Sequence, residues 1–480
     1  MKSTTVNNNL KKVILGVDIG TSGIRGCIVE RPAHNSTNPE QNQNILTTQS
    51  ISLESPLLNH QSGASTQDPT LWVETLQQLF QRLSKYADLS LITNLVVDAT
   101  SSTVLLCDPH GTPLTDALMY NDQQATYQAK QIADFSGFNP NSGANGSSST
   151  LAKVLFLFKQ LNPKADSEQV IICHQIDFIN HYLCGALNIT DENSALKLGY
   201  DSIHQMWPKW CLELLRQSWQ GLKNIPPLPK IVCPGTELGL IRPELVDHFN
   251  FSKTLKIHAG TTDSIAGFLA SGASHEGDAV TSLGSTLAVK LVTKKPLFSA
   301  KHGVYSHKLK NHWLVGGASN AGGAVLLADY TIGEIKQLVE SIESNADEQP
   351  ISDAITGNAE STYYPLIKPG ERFPIADANY PPKMPPKPED PLFDSKTGTI
   401  SENHQQYFIA LLQGLTHIEN LAYQTLFEMG ASELKQLYSV GGGMKNSIWM
   451  TLRDNQFKSK TTLKTALSLD AAYGVTKLIE

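Results

Sequence analysis

The sequence of 480 residues contains no C-x-x-C pair, no run of five or six like charges, and no stretch near the roughly 18 consecutive apolar residues that a membrane span requires. Its six cysteines all lie in the first half without the histidine spacing of a zinc site, so we expect reduced, mostly buried thiols. Residues 1–12 are polar and lack the apolar segment of a signal peptide. These absences argue against membrane, nucleic-acid and zinc-dependent functions and predict a cytoplasmic protein.

The balance of residue types predicts a large folded protein. Forty per cent of the residues are hydrophobic and 17% are charged, with 38 basic and 45 acidic residues giving a formal charge of −7. At roughly 100–200 residues per domain, two large domains are the simplest division of this length. Strand and helix patterns in both halves predict the α/β class. We place the boundary near residues 249–256, so that residues 1–256 form the first domain and residues 257–480 the second.

Several local patterns predict single elements. Residues 13–19 and 24–29 are apolar runs separated by a glycine-containing turn, which is typical of a β-hairpin. A helix is predicted to begin at Asp68 and Pro69, since proline is well placed in a first helical turn. Residues 94–99 are predicted to form a strand, and the polar residues 31–50 a loop.

The first hairpin carries a candidate phosphate site. Asp18 ends the first strand and small residues follow it, so backbone N–H groups can approach an anion without obstruction. The Asp18 carboxylate can hold Mg²⁺ directly or through water, while Thr21 and Ser22 contact phosphate oxygens and Arg25 offers a further cation. An ordinary glycine-containing hairpin turn explains the same local pattern.

A similar hairpin recurs roughly 260 residues later. Residues 281–283 and 287–289 are strand candidates on either side of Gly284, Ser285 and Thr286. The repetition suggests a duplicated architecture, in which two α/β domains face a shared cleft. Chance resemblance of six residues is the alternative.

Asp263 is the candidate general base. It follows an apolar strand candidate at the point where the chain should pass into a helix rich in small residues. A carboxylate within hydrogen-bond reach of a sugar hydroxyl can accept its proton. A helix N-cap is the alternative role for the same residue.

Two further glycine-rich junctions, residues 316–323 and 441–446, follow strand candidates and allow close approach of a nucleotide. The sequence contains neither a Walker G-x-x-x-x-G-K-[ST] nor a Rossmann G-x-G-x-x-G pattern. Four junctions of glycine, serine and threonine in one chain favour a nucleotide-phosphate site over a metal hydrolase.

Two polar segments in the N-terminal half could bind a polyol. Residues 100–103 and 120–123 each follow an apolar segment and offer hydroxyl and carboxylate groups. Turn chemistry explains both segments equally well.

At these residues the sequence resembles the FGGY carbohydrate kinases, members of the actin-like, ribonuclease-H-like ATPase superfamily. Residues 16–22 match the family's first phosphate motif, and residues 282–286 resemble its second. Residues 259–267 resemble the segment that holds the catalytic aspartate, and residues 441–446 the adenosine-binding region. Within the family, residues 193–201, 363–366 and 370–374 look most like the D-ribulose kinases of cyanobacteria and plant plastids, which are often called xylulose kinases. Gln124 departs from the arginine found in many pentulose kinases, which leaves the sugar contacts at this point open.

The resemblance implies two ribonuclease-H-like domains around a central cleft, with sugar bound mainly by the first and ATP by the second. It implies an ATP- and Mg²⁺-dependent kinase that converts a ketopentose, D-ribulose above all, into its 5-phosphate. Asp263 would be the catalytic base and Asp18 the Mg²⁺ ligand. We expect the sugar at Asp18, Ser101, Ser102, Asn121, Asp122 and Asp263. We expect ATP at Gly20, Thr21, Ser22, Arg25, Gly284, Ser285, Thr286, Gly441, Gly442, Gly443 and Asn446.

Two alternatives stay open. One is a related kinase acting on D-xylulose, L-ribulose, glycerol or another polyol. The other is a non-catalytic ATP-binding switch that resembles actin. A monomer or a homodimer is expected in either case.

Overall fold

The computed structural model describes residues 12–31, 44–161, 169–219, 224–345, 363–459 and 461–479. The chain divides into two compact units, one of residues 1–272 and 470–480 and the other of residues 273–469. This division differs from the predicted boundary after residue 256. The physical reason is that strand β13 (Lys256–Thr262) pairs in parallel with β6 (Asn94–Ala99) of the first unit, which keeps the following helix there as well.

The central sheet of the first unit has six strands in the order β12-β13-β6-β1-β2-β3. Strand β1 pairs with β2 antiparallel and with β6 parallel, and β2 pairs with β3 antiparallel. The inner strands read as nearly continuous apolar runs because helices cover both faces. The remaining bounds are β1 (Lys12–Ile19), β2 (Gly23–Arg31), β3 (Asn44–Ser52) and β12 (Glu237–Leu240).

The first unit also contains a five-stranded sheet in the order β4-β5-β8-β7-β9 and a two-stranded sheet of β10 and β11. These strands are β4 (Leu57–Asn59), β5 (Ala64–Gln67), β7 (Val104–Cys107), β8 (Ala117–Leu118), β9 (Ile171–His174), β10 (Ile189–Asp191) and β11 (Lys230–Val232). The helices of this unit are α1 (Thr70–Leu83), α2 (Thr126–Ala133), α3 (Thr150–Gln160), α4 (Gln175–Cys184), α5 (Lys209–Ser218), α6 (Pro243–Phe249), α7 (Asp263–Ala270) and α12 (Ala471–Val475).

The last helix, α12, packs against α7 and β1 through close backbone contacts. A Cβ atom added to Gly474 would lie 1.9 Å from the carbonyl oxygen of Ala266, and one added to Gly16 would lie 1.9 Å from that of Ala472. Only glycine permits such an approach at both places. The end of the chain is thereby held beside the first strand.

The second unit has a six-stranded sheet in the order β16-β17-β15-β14-β18-β19. Its strands are β14 (Asp278–Leu283), β15 (Leu287–Thr293), β16 (Tyr305–Leu309), β17 (His312–Ala318), β18 (Gln436–Val440) and β19 (Thr462–Thr465). Its helices are α8 (Gly323–Leu327), α9 (Ile332–Asn345), α10 (Glu402–Glu428) and α11 (Ser447–Phe457).

The two central sheets repeat one topology. Five strands in the order β3-β2-β1-β6-β13 correspond to β17-β15-β14-β18-β19, and every pair has the same parallel or antiparallel sense in both units. The predicted duplication, the α/β class and the ribonuclease-H-like fold are confirmed. Among the described helices, none is long and apolar enough to cross a membrane.

Most single-element predictions are confirmed, and one is partly wrong. The hairpin of β1 and β2, helix α1 and strand β6 form where the sequence patterns place them. The predicted loop of residues 31–50 contains strand β3 in its second half, while residues 32–43 lie outside the described part. This edge strand is mostly polar because its pairing comes from the backbone of β2, so its side chains did not need a buried face.

Candidate active site

Three neighbouring parallel strands of the first unit bring acidic side chains to the same edge of the sheet. Asp18 near the end of β1 is the register partner of Asp98 near the end of β6, and Thr261 of β13 is the partner of Asp98 on its other side. Asp263 follows β13 directly as the first residue of α7. The carboxyl ends of parallel strands are the usual place for a ligand in α/β sheets.

Asp98 is the residue that the sequence reasoning missed. Its side chain is fully buried, and no donor among the described residues bonds either of its carboxylate oxygens. Burial raises the pKa of Asp98 well above the usual range, and the charges of Asp18 and Asp263 add to this effect. An aspartate inside an otherwise apolar strand was the available signal, because such a residue needs a partner or a function.

The pKa of Asp18 is also shifted, to about 6. Burial is the main cause, the carboxyl of Asp98 opposes it through a hydrogen bond, and the charge of Asp263 adds to it. Two carboxyl groups can share a hydrogen bond only when one of them keeps its proton. Asp18 and Asp98 therefore form an acidic centre, and no described donor bonds the carboxyl oxygens of Asp98.

Arg25 is a cation beside Asp18. Its Nη1 atom lies 3.9 Å from Oδ2 of Asp18 and 4.0 Å from Oδ1 of Asp470, and its side chain is half-exposed. Asp470 accepts a hydrogen bond from the backbone N–H of Ala472 and thereby caps α12. Asp470, at the start of the last helix, thus lies near the acidic centre. The sequence patterns did not predict this position.

The turn between β1 and β2 is closed by a backbone hydrogen bond. The N–H group of Gly20 donates to the carbonyl oxygen of Gly23 over 3.0 Å. Thr21 is partly exposed and Ser22 is exposed, so both hydroxyl groups are available at the surface of the turn.

Asp263 begins α7, whose N-cap residue is Thr262, so the alternative that Asp263 is itself the cap is not what the structure shows. Oδ1 of Asp263 accepts a 2.6 Å hydrogen bond from the backbone N–H of Ser264. This local bond fixes the carboxylate at the N-terminus of a helix, where a negative charge is stabilised.

Most of the loop of residues 100–103 is buried, and its polar groups bond to other parts of the protein. Ser102 has a left-handed backbone (φ 73°), its hydroxyl donates to the carbonyl of Ser148, and it accepts from Thr150. The ammonium group of Lys153, which is fully buried, donates to the carbonyl oxygens of Ser102 and Met119. These bonds give Ser102 a role in the fold, whereas the neighbouring Ser101 is partly exposed.

The second polar segment behaves in the same way. Asp122 is fully buried and accepts hydrogen bonds from the N–H of Ser65 and from both the backbone and side chain of Gln124. Gln124 therefore acts as a partner of Asp122. Asn121 is exposed. Of the four predicted sugar contacts outside the aspartate centre, Ser101 and Asn121 keep accessible side chains.

The second unit presents its candidate ATP residues on two loops of neighbouring strands. Ser285 and Thr286 are exposed in the turn between β14 and β15. The backbone N–H groups of Gly323 and Ala324, at the start of α8, donate to the carbonyl oxygens of Gly284 and Ser285. The end of the junction at residues 316–323 thus holds the turn in place through backbone hydrogen bonds.

The loop after β18 is also glycine-dependent. Gly441 has a positive φ of 97°, and a Cβ atom there would lie 2.8 Å from the carbonyl oxygen of Leu283. A Cβ on Gly443 would lie 2.7 Å from the ring of Trp449, whereas Gly442 faces open space. Asn446 caps α11 with its Oδ1 atom, and its buried Nδ2 atom has no hydrogen-bond partner among the described residues.

A buried ion pair lies beneath these two loops. Arg453 of α11 and Glu419 of α10 are both inaccessible and joined by two hydrogen bonds of 2.6 and 2.7 Å. Glu419 also accepts from Thr281 of β14, and Arg453 donates to Ser439 of β18. This network links the strands that precede both loops, and it was not predicted because its members are far apart in the sequence.

The described residues include no cluster of three or more His, Cys, Asp and Glu side chains arranged to ligate a metal ion. Asp18 still fits Mg²⁺ as a single protein ligand, since its carboxyl group lies beside Asp98 in a centre of acidic side chains that includes Asp263. Magnesium commonly keeps most of its ligands from water and substrate phosphates.

Comparison with known proteins supports one family. Residues 13–270 match the N-terminal domain of the FGGY family of carbohydrate kinases. The chain is 23% identical over 452 residues to a xylulose kinase of Staphylococcus epidermidis, covering 93% of this chain and 84% of that protein.

Two crystal structures show the same fold. A xylulose kinase from Rhodospirillum rubrum has a TM-score of 0.71 at 18% identity, covering 97% of this chain and 89% of its own. A gluconate kinase from Lactobacillus acidophilus has a TM-score of 0.71 at 20% identity, covering 98% of this chain and 88% of its own. With its matching family domain and its duplicated actin-like sheets, the chain belongs to the FGGY family of carbohydrate kinases, which transfer a phosphoryl group from ATP to a sugar.

Proposed function

We propose that this kinase phosphorylates a ketopentose at its terminal hydroxyl and that D-ribulose is the preferred substrate. The main support for this reaction is that Asp18, Asp98 and Asp263 lie at one edge of the first central sheet. Several relatives that match more than nine-tenths of this chain are named xylulose kinase, which supports a ketopentose, and one is named gluconokinase. The preference for D-ribulose rests on residues 193–201, 363–366 and 370–374, which resemble the D-ribulose kinases.

Asp263 is the proposed general base. Its carboxylate accepts the proton of the terminal sugar hydroxyl as that oxygen attacks the γ-phosphorus of ATP and ADP leaves. Phosphoryl transfer depends mainly on positioning and on charge stabilisation, so a carboxylate held at a helix N-terminus suffices for this role. Ser101 and Asn121 are the proposed sugar contacts that retain accessible side chains.

The proposed ATP contacts follow from the two hairpin turns and the loop after β18. Thr21 and Ser22 with Ser285 and Thr286 offer hydroxyl groups to phosphate oxygens, and Asn446 offers an unpartnered amide to the adenosine. Asp18 would hold Mg²⁺, which would neutralise phosphate charge when bound. Arg25 is placed to contact the same phosphates from the exposed side of Asp18.

The direct experiment is a sugar panel. ADP release with Mg²⁺-ATP is measured with D-ribulose, D-xylulose, L-ribulose, L-xylulose, ribitol and glycerol. We expect strong stimulation by D-ribulose and weaker stimulation by D-xylulose. A higher kcat/KM for D-xylulose would overturn the proposed preference, and sugar-independent hydrolysis alone would favour an ATP-driven switch.

The mechanism is tested with Asp263→Asn, which keeps the size of the side chain and removes the base. Loss of a general base should lower kcat by about 10²–10⁴-fold. Asp134→Asn, at an exposed position on α2's C-terminal end, is the matched control. Near-normal turnover of Asp263→Asn would remove Asp263 from the mechanism.

A further inference from the structure

Lys197 belongs to a short segment that is anchored beside Asp263. The segment follows β10, where Oδ1 of Asp191 accepts the backbone N–H groups of Asn193 and Ser194 over 2.9 and 3.1 Å. The side-chain amide of Asn193 donates to Oγ1 of Thr261 over 3.1 Å. Since Thr261 precedes Asp263 by two residues, this bond fixes the segment to the end of β13.

A single 3₁₀ turn, Ala195–Leu198, then presents the lysine. Leu196 and Leu198 on either side of it are buried, whereas Lys197 is only partly so. The turn packs against α3, which carries Lys153. The turn that carries Lys197 therefore lies between α3 and the end of β13.

The charges around Lys197 are defined by two neighbours. Its ammonium group is attracted by Asp263 and lies close enough to Lys153 for the two cations to repel each other. Loss of water around the ammonium lowers the pKa of Lys197, and the charge of Asp263 opposes that effect. Its ammonium makes no hydrogen bond or close ion pair within the described part of the chain.

Lys153 differs from Lys197 in the hydrogen bonds of its ammonium group. It is fully buried, and its ammonium donates to two backbone carbonyl groups and so completes the fold. An ammonium group has three donors and no acceptor, so the partly buried ammonium of Lys197, which lacks such bonds, keeps its donors available for an oxygen acceptor. The free donors of Lys197 point to a ligand next to Asp263.

We propose that Lys197 is a sugar-binding residue, which donates a hydrogen bond to an oxygen of the ketopentose held beside Asp263. The proposal rests on the function proposed above, because it takes Asp263 to mark the sugar site. Hydroxyl and carbonyl oxygens of a ketopentose are suitable acceptors, and a charged donor makes the stronger kind of hydrogen bond. Lys197 would thus help to decide which sugars are accepted.

The test measures sugar binding and turnover separately in Lys197→Met and Lys197→Arg. Calorimetric titration of D-ribulose and D-xylulose without ATP should give a Kd raised about 10–100-fold in Lys197→Met, as expected for a lost charged hydrogen bond. The KM for the same sugar should rise with it, while the KM for ATP stays unchanged. Lys197→Arg should recover part of the affinity. Lys209→Met, at an exposed lysine that begins α5, is the matched control.

A series of deoxy-ketopentoses separates a direct contact from a structural effect. In the wild type, removal of the contacted oxygen should weaken binding, and in Lys197→Met the same removal should have little further effect. An unchanged sugar Kd in a folded Lys197→Met, or equal losses for every deoxy sugar in both proteins, would overturn the proposal. Full activity of Asp263→Asn would instead overturn the function on which it rests, so the two failures are distinguishable.

Discussion

The two central sheets share a strand topology but carry different side chains at equivalent positions. In the first sheet Asp18 pairs with Asp98, whereas in the second the corresponding pair is Ser282 and Val440. Both hairpins end in a turn of small residues, at 20–22 and 284–286. The duplicated scaffold therefore supplies two similar hairpin turns, and at these paired positions the first unit has carboxylates where the second has none.

The loops that follow the parallel strands differ as well. After β6 the chain continues as Thr100 to Thr103, a buried segment tied by hydroxyl groups and by Lys153. After β18 the equivalent loop consists of Gly441, Gly442 and Gly443. Glycine leaves room for a nucleotide near the backbone, while hydroxyl and acidic groups suit a sugar and proton transfer. The comparison assigns the chemical step to the first unit and the nucleotide to the second as a testable hypothesis.

The largest expected difference between the units comes from substitution at the paired positions Asp18 and Ser282. Asp18→Asn should reduce Mg²⁺-dependent turnover by about 10²–10⁴-fold, because the carboxylate proposed to hold Mg²⁺ is lost. Ser282→Ala, at the same place in the second sheet, should change kcat less than about tenfold. Steady-state kinetics over a range of Mg²⁺ concentrations measures both, and equal losses would contradict the assignment of the chemical step.

The next effect is on the stability of the second unit. Arg453→Met leaves the buried carboxylate of Glu419 without its partner, which should cost about 3–5 kcal/mol of unfolding free energy. Urea denaturation followed by tryptophan fluorescence measures this loss. The double variant Arg453→Met with Glu419→Gln should recover part of it, and a loss in the single variant below about 1 kcal/mol would show that the pair does not hold the loops together.

The acidic pair of the first unit should make stability depend on pH. The pKa of Asp18 is raised from 3.8 to about 6, so the folded protein binds a proton more tightly than the unfolded chain does. This contribution to the unfolding free energy is complete below pH 3.8 and is lost as pH rises through about 6. Its slope inside that window is about 1.4 kcal/mol per pH unit.

Asp98→Asn tests this explanation, since it removes the buried carboxyl group whose own pKa is raised well above the usual range and keeps a donor beside Asp18. The variant's stability relative to the wild type should increase with pH between 4 and 7, because the folded wild type holds the proton of Asp98 more tightly than the unfolded chain does, as measured by urea denaturation at intervals of half a pH unit. Asp134→Asn, at an exposed aspartate, should give a nearly constant difference over the same range. A flat profile for Asp98→Asn would mean that burial does not raise the pKa of Asp98.

The smallest effect concerns two helix caps, one in each unit. Asn446 caps α11 and Asp470 caps α12 through bonds of 3.0 Å to backbone N–H groups. Alanine at either position should cost about 1 kcal/mol of stability. Asn446→Asp keeps the cap and removes the free amide, so it should raise the KM for ATP while Tm stays close to that of the wild type. An unchanged KM would restrict Asn446 to capping.

The sequence predicted those parts of the fold and site that depend on local pattern. The hairpin of residues 13–29, strand β6 and helix α1 have apolar periodicity or turn residues within one short window. The similarity of residues 17–22 and 281–286 suggested the duplication, with chance resemblance as the alternative. Strand β3 was missed because an edge strand owes its structure to the backbone of β2, which leaves little trace in its own side chains.

Other features were decided only when distant segments met. Asp98 became a member of the acidic centre because β6 lies between β1 and β13, and Asp470 joined it because α12 returns to the first unit. Ser102 and Asp122 resembled sugar ligands in sequence, yet their groups are occupied by Ser148, Ser65 and Gln124. Whether a polar group is available depends on its partners, which one-dimensional spacing does not reveal.

The sequence by itself determined the α/β class, the duplicated hairpins and the identity of Asp18 and Asp263 as candidate groups, because strand periodicity and glycine turns are properties of neighbouring residues. The tertiary structure decided which carboxylates share an edge, which lysine is committed to carbonyl groups and which is not, and where the first unit ends. These outcomes depend on strand order and desolvation, which arise only when residues far apart in the chain are packed together.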